Sequence, residues 1–263
     1  MATPHVFASH GSLVGPASVR TISTADLRDA LSEGYADFMA KPTHLFVLGL
    51  VYPILGIWLA SSAFGYDVLP LLFPLASGFA LIGPLAGIGL YEMSRRREAG
   101  LEPRFQDAIE VFRSPAIGSV LGMGLVLVAI FVLWLLTAQA IFGLTVGISP
   151  TISYGDWLRE ILTTPRGWAL VLFGNAAGLA FAVLVLTISV VAFPLILDRG
   201  AEVGAAMATS RRAVLANPGT MALWGFVVAA LVFLGSLPFF VGLAVVMPIL
   251  GHATWHLYRK VVA

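Results

Sequence analysis

The most constraining feature of this sequence is a series of long apolar stretches that carry almost no charge. Six of them approach or exceed the roughly 20 apolar residues that cross a bilayer as a helix. They lie near His44 to Phe64, Val68 to Tyr91, Ala116 to Leu144, Gly167 to Leu197, Gly219 to Leu234 and Leu237 to Leu257. Only 11% of the residues are charged, against about a quarter in a soluble domain. The sequence therefore predicts an all-α, polytopic membrane helical bundle of six transmembrane helices arranged as three hairpins.

The basic residues are distributed unevenly between the two sides of these predicted helices. Arg159 and Arg166 fall on one side, and the other thirteen of the fifteen Lys and Arg residues fall on the opposite side. Because Lys and Arg are enriched in cytoplasmic loops, this asymmetry places both termini in the cytoplasm. We expect a multi-pass protein of the bacterial inner membrane, surrounded by membrane lipids. The net charge of +1 gives no support for a nucleic-acid partner.

A short amphipathic segment precedes each odd-numbered transmembrane helix on the cytoplasmic side. The three apolar stripes are Leu27, Leu31, Tyr35 and Phe38; Phe105, Ile109 and Phe112; and Val203, Met207 and Val214. Such stripes predict helices that lie in the membrane interface, although they could equally pack against the cytoplasmic ends of neighbouring helices. Each segment ends at a proline, Pro42, Pro115 or Pro218, and a glycine follows seven positions later. The chain thus repeats one unit three times.

These patterns divide the chain into a tail and one membrane domain. We predict a disordered cytoplasmic tail over residues 1–24, because prolines and glycines interrupt it and it lacks the continuous apolar core of a signal peptide. Residues 25–263 are predicted to form a single integral-membrane domain, with repeat units of about 25–97, 103–199 and 201–260.

Pairs of glycines four residues apart recur in the predicted helices. The pairs are Gly83 and Gly87, Gly118 and Gly122, and Gly174 and Gly178. Small residues at this spacing let helix backbones approach closely, which predicts one compact bundle. General enrichment of glycine in membrane helices is the alternative explanation.

Ionisable residues near the ends of the predicted helices are the candidates for a functional site. His44, Glu92, Asp198, Arg199, His252 and His256 all fall near cytoplasmic ends, where they could form one polar cluster. His252 and His256 lie four residues apart on one helix face, so they could bind a metal or haem, or simply anchor the helix end at the interface. We predict no catalytic residue and no cofactor, because no catalytic or phosphate-binding motif is present.

Three segments carry a resemblance to a known family. They are Gly83 to Leu85 with Gly89 to Glu92 and Arg95 to Arg97, then Pro194 to Arg199, then Leu250 to Arg259 with the sequence Leu-Gly-His-Ala-Thr-Trp-His-Leu-Tyr-Arg. Together they resemble the prokaryotic integral-membrane family catalogued as domain of unknown function 2189, over about residues 25 to 260. Some members of that family are labelled as cytochrome c oxidase subunits. The resemblance therefore implies a loose association with respiration and no defined activity.

Three functions remain as hypotheses. The first is a non-enzymatic accessory, assembly or membrane-organising component, with a membrane-protein complex as its partner and a link to respiratory complexes. The second is a small-solute transporter or channel built from hairpin repeats, which prolines inside the predicted helices would favour. The third is a haem or metal protein that uses His252 and His256.

Overall fold

The computed structural model describes residues 15–40, 54, 87–102, 104, 107, 110–147, 154–238 and 240–263. Within these residues the secondary structure is helical, apart from turns and one isolated antiparallel bridge between Val19 and Val262. The α-helices are α1 (Thr24–Ala40), α2 (Ile88–Glu98), α3 (Ile117–Thr145), α4 (Tyr154–Thr163), α5 (Pro165–Ser189), α6 (Ala192–Arg199), α7 (Val203–Ala216), α8 (Pro218–Ser236) and α9 (Leu243–Val261). A 3-10 turn covers Val111–Arg113.

Three stretches of the described chain are helical, long and apolar enough to cross a membrane. They are Ile117–Thr145, Pro165–Arg199 and Pro218–Ser236, and they correspond to the third, fourth and fifth predicted spans. The first predicted span, and most of the second, lie outside the described residues. The sixth overlaps α9, which carries Arg259 and Lys260 in its last turns and is not one of these three stretches. The all-helical membrane class is therefore confirmed, with three helices in the described residues that are able to span a membrane.

The chain divides into two compact units. The first contains residues 1–55, 83–125 and 186–263, and the second contains residues 56–82 and 126–185. In the first unit, α1 packs along α9, which also contacts α2, α6 and α8. The largest fully buried side chains of this unit include Trp224, Trp255, Tyr258 and Phe193. Helix α9 is thus the central element of the first unit.

The crossing of α1 and α9 depends on a glycine. A Cβ added to Gly34 would lie 2.5 to 2.7 Å from the backbone and Cβ atoms of Ala253. Leu27, Ala30 and Phe38 are buried on the same helix, whereas Tyr35 is 54% exposed. The apolar stripe of α1 is therefore largely a packing surface for its neighbours, which is the alternative that the sequence left open.

The second unit, within the described chain, contains most of α3, all of α4 and most of α5. Trp134 on α3 packs against Phe181 on α5 with ring centroids 5.5 Å apart. A Cβ added to Gly178 would lie 3.3 Å from the Trp134 ring. Leu158 and Leu162 on the amphipathic helix α4 are about half exposed.

The break between α5 and α6 precedes a proline in the first turn of α6. Pro194 has no N–H to donate to the carbonyl of Val190, and its ring would clash with that carbonyl in a regular helix. The helix breaks at Val190 and Val191 and resumes at Ala192. Helix α6 ends before Gly200, whose φ of 60° is the left-handed conformation that glycine adopts readily.

The segment that precedes α1 is held in place by several hydrogen bonds. The N–H of Ile22 donates to Oδ1 of Asn217 at 2.7 Å, and Nδ2 of Asn217 donates to the carbonyl of Arg20 at 3.0 Å. The N–H of Arg20 donates to the carbonyl of Val261 at 2.7 Å. Arg20 and Ile22 therefore differ from the disordered tail that we predicted over 1–24, because Asn217 and Val261 bind their backbone groups. Residues 1–14 lie outside the described part.

The remaining sequence patterns can be located individually. Pro218 is the first residue of α8 and Pro115 lies two residues before α3, whereas Pro42 lies outside the described residues. Gly122 faces the side chain of Val203, and Gly87 faces the ring of Tyr91 on its own helix. Among the described atoms, nothing lies within 4 Å of a Cβ added at Gly118 or Gly174. Gly83 lies outside the described residues.

Candidate functional site

A polar network between α1, α2 and α9 is the main candidate site. At its centre is Asp37 on α1, which is 9% exposed. Its Oδ2 accepts hydrogen bonds from Oγ of Ser94 at 2.6 Å and from Nε2 of His256 at 2.9 Å. Its Oδ1 lies 2.9 Å from Nη1 of Arg97. Three side chains from two other helices therefore meet at the carboxylate of Asp37.

The sequence places these residues together because each lies on a packed helix face. Ala30 and Gly34 precede Asp37 at helical spacing and form the small-residue face of α1. Ser94 is fully buried on α2, and Arg97 follows it by three residues. The close approach at Gly34 brings α9 near enough for its imidazoles to reach Asp37.

Asp37 is held in its charged form by these neighbours. Burial alone would raise the pKa of a carboxyl, but the hydrogen bonds from His256 and Ser94 and the nearby histidines lower the pKa of Asp37 below its usual 3.8. The carboxylate is therefore an acceptor only.

His252 joins the network through Ser94. Its Nδ1 lies 2.6 Å from Oγ of Ser94, and the ring is 1% exposed. Ser94 has one hydroxyl proton, which it donates to Asp37, so Oγ must accept from Nδ1–H of His252. Nε2 of His252 has no hydrogen-bond partner among the described residues.

His256 and its neighbours extend the network to the surface. Nδ1 of His256 lies 3.2 Å from Glu33, which also pairs with Lys260 at 3.4 Å. Each ring nitrogen of His256 therefore faces a carboxylate. A metal could bind His256 only by displacing Asp37 or Glu33.

Two further ionic clusters lie in the same unit. Glu92 is 1% exposed and receives hydrogen bonds from Nε of Arg95 and of Arg96, both at 2.8 Å. Arg96 also pairs with Asp107 at 2.9 Å and with Glu110 at 3.1 Å. This cluster holds the end of α2 against the segment that leads to α3.

The other cluster joins the ends of α2, α6 and α9. Tyr258 donates its hydroxyl to Oδ2 of Asp198 at 2.6 Å, and Arg199 lies 3.7 Å from Asp198. Glu98 accepts hydrogen bonds from Nε1 of Trp255 at 3.0 Å and from Nε of Arg259 at 2.9 Å. The side chain of Arg259 also reaches Asp198 at 3.5 Å.

The structure thus distributes the sequence candidates among three groups. His252 and His256 share one network, Glu92 belongs to a second, and Asp198 with Arg199 belongs to a third. His44 lies outside the described residues. The sequence reasoning missed Asp37 as a site residue, because it considered only ionisable residues near the ends of the predicted transmembrane helices. Its position three residues after Gly34 and seven after Ala30, on a face of small residues, was the available signal.

The chemistry of the network differs from that of a hydrolase. In a catalytic triad the imidazole accepts the serine proton, whereas here Ser94 donates that proton to Asp37 and accepts from His252. Ser94 is therefore not activated as a nucleophile. In the part of the chain that the structure describes, no group of three or more His, Asp or Glu residues is arranged to hold a metal ion.

Comparison with known protein families gives a match. A family model described as "Predicted integral membrane protein (DUF2189)" matches residues 72–198. Residues 72–198 carry domain of unknown function 2189. The family resemblance is therefore confirmed, and the match includes Gly83 to Arg97 and Pro194 to Asp198. The block from Leu250 to Arg259 lies beyond the matched residues. No curated protein and no solved structure shows a significant match to the chain.

The polar network joins residues on both sides of this boundary. Ser94 and Arg97 fall inside the matched range, whereas Asp37, His252 and His256 fall outside it. Helices α1 and α9, which lie outside the matched range, therefore supply the other residues of the network.

Proposed function

We propose that this integral-membrane protein is a non-enzymatic accessory, assembly or membrane-organising component. The observation that supports this most is the way Asp37 is used. Ser94, His256 and Arg97 all bind it, so the buried charge joins three helices. A network of this kind stabilises a membrane protein without presenting a reactive group.

The exposed face of α8 supports a role in contacts within the membrane. Phe226, Phe233 and Leu234 are between 57% and 69% exposed, whereas Met221 and Trp224 on the same helix are buried. An exposed face of this composition suits lipid chains or an apolar helix of a partner. A membrane-protein complex, with a respiratory complex as the first candidate, is the partner class that we propose.

The topology that we propose is the one predicted from the sequence. We propose six spans in three hairpins in a bacterial inner membrane, with both termini in the cytoplasm and amphipathic segments near the interface. The uneven distribution of Lys and Arg supports this orientation.

Affinity purification followed by photo-crosslinking tests the accessory role. A tagged chain at native expression level, extracted in mild detergent, is expected to bring down a stoichiometric membrane partner that an untagged control lacks. A photoreactive amino acid at Phe226 should then crosslink to that partner, whereas the same probe at buried Trp224 should not. Isolation of the chain alone, with only lipid adducts at Phe226, would contradict the accessory role.

A small-solute transporter or channel is the second candidate. The break between α5 and α6 at Val190 and Val191 favours it, because interrupted helices supply free backbone groups for binding in transporters. Ion flux or conductance in proteoliposomes that Pro194→Ala reduces would support this function. If flux is absent, or if Pro194→Ala leaves it unchanged, the break between α5 and α6 is not a transport site.

A further inference from the structure

Two neighbouring arginines on α7 differ from the basic residues at the ends of α2 and α9. Those residues are held in ion pairs: Arg95 and Arg96 with Glu92, Arg97 with Asp37, Arg259 with Glu98, and Lys260 with Glu33. Arg211 and Arg212 are exposed, and neither forms an ion pair with a described residue. In the part of the chain that the structure describes, their guanidinium groups therefore remain available to an external anion.

The two arginines share an exposed face of α7 with an apolar side chain. They precede Leu215 by four and three residues, which are the spacings at which side chains are neighbours on a helix. Leu215 is 68% exposed, whereas Thr209 and Ala213 are buried on another face of α7. Helix α7 contains no acidic residue. This face therefore joins two positive charges to an apolar surface.

The same face lies beside the start of a helix that is able to span a membrane. Helix α8 begins at Pro218, and Asn217 fixes the junction by donating from Nδ2 to the carbonyls of Arg20 and Ala213, both at 3.0 Å. Leu223, which is 40% exposed, lies about 8 Å further along α8. When α8 spans the membrane, the end of α7 lies at the level of the lipid headgroups.

We propose that Arg211, Arg212 and Leu215 bind an anionic phospholipid. The guanidinium groups donate to the phosphate oxygens, and an acyl chain lies against Leu215 and Leu223. Basic residues beside a membrane attract lipids of net negative charge. A phosphatidylcholine headgroup carries the same phosphate together with a quaternary ammonium, which two unpaired arginines repel. This lipid site goes beyond the accessory role and does not depend on it.

Two lipids with the same acyl chains test the proposal on the unmodified protein. The delipidated full chain in mild detergent is titrated with phosphatidylglycerol or with phosphatidylcholine, and native mass spectrometry counts the bound lipid. We expect phosphatidylglycerol to bind about 5 to 30 times more tightly, which is the attraction contributed by one or two basic residues. Equal affinity for the two lipids would overturn the proposal.

A soluble competitor separates a lipid site from a phosphate site. Glycerol 3-phosphate has the charged group without the acyl chains, so a large excess should leave phosphatidylglycerol bound. Displacement of the lipid would show that the arginines bind phosphate alone, and it would overturn the contribution of Leu215 and Leu223.

A pair of double variants then locates the site. Arg211→Gln combined with Arg212→Gln should abolish the preference for phosphatidylglycerol. Arg159→Gln combined with Arg166→Gln removes the same charge from two exposed arginines on α4 and α5, where Glu160 adjoins Arg159, and should preserve the preference. Melting temperatures without added lipid should match the wild type in both. Equal losses of preference would show nonspecific attraction of anions, and an unchanged preference in the α7 variant would likewise refute the site.

Discussion

At the level of single residues, Asp37 combines burial with a negative charge. A buried carboxylate is costly unless charged or hydrogen-bonded groups surround it, and here Arg97, His256 and Ser94 all contact it. These contacts come from two other helices. The residue therefore contributes to stability only when α1, α2 and α9 are assembled.

The first prediction concerns removal of this charge. Asp37→Asn keeps the shape of the side chain but leaves Arg97 and His256 without their counter-charge. We expect a loss of about 1 to 3 kcal/mol, since hydrogen bonds to charged groups are of this order and Arg97 is partly exposed to solvent. Thermal unfolding in detergent measures the effect. Asp29→Asn, at an exposed position of the same helix, should leave the melting temperature unchanged.

The second prediction is the pH dependence of this stabilisation. Burial raises the pKa of Asp37, but the hydrogen bonds from His256 and Ser94 lower it by more, so that the pKa in the folded protein lies below its usual value. Its contribution is therefore fully present above the unfolded value near 3.8 and is lost as the pH falls through the lower folded pKa. Glu33, on its own helix, and Arg97, from α2, also lie near this group.

Melting temperatures would check this pH dependence. They are measured for the wild type and for Asp37→Asn between pH 3 and pH 6, roughly the range over which carboxylates titrate. The difference between the two proteins should be largest at the upper end and should shrink as the pH falls. A difference that is constant across the range would contradict the assignment.

At the level of helices, the α1–α9 crossing is set by the absence of a side chain at Gly34. An added Cβ would lie 2.5 Å from the backbone nitrogen of Ala253, and backbone cannot move aside as a flexible side chain can. The helices must separate to accept even a methyl group. The hydrogen bond from Nε2 of His256 to Asp37 would then lengthen.

The third prediction follows from this crossing. Gly34→Ala should destabilise the protein by about 1 to 3 kcal/mol, as overpacking of a tight contact does. Gly204→Ala is the matched control, because Gly204 lies within α7 and nothing among the described atoms is within 4 Å of its added Cβ. Protease resistance of the two purified variants, measured against the wild type, would show the difference. Equal resistance would show that α1 does not depend on this contact.

At the level of the whole molecule, the orientation in the membrane can be tested cleanly because the chain has no cysteine. The fourth prediction uses Gly155→Cys on α4 and Ala263→Cys at the carboxyl terminus, both exposed positions. In spheroplasts an impermeant maleimide should label the first, and should label the second only after the membrane is disrupted. The unsubstituted chain provides the background, and the reverse labelling pattern would place the termini outside.

The sequence alone determined the membrane-helical class, because apolar stretches of this length have few other stable forms, and it identified the family through short local motifs. The third to fifth spans were predicted because each is a local, contiguous signal. Only the tertiary structure decided that Asp37, Ser94 and His252 meet, since they lie 57 and 158 residues apart along the chain. It also paired Ile22 with Asn217 and Arg20 with Val261, where a tail had been predicted. Such contacts arise from how helices cross, and that geometry depends on the packing of side chains distant in sequence.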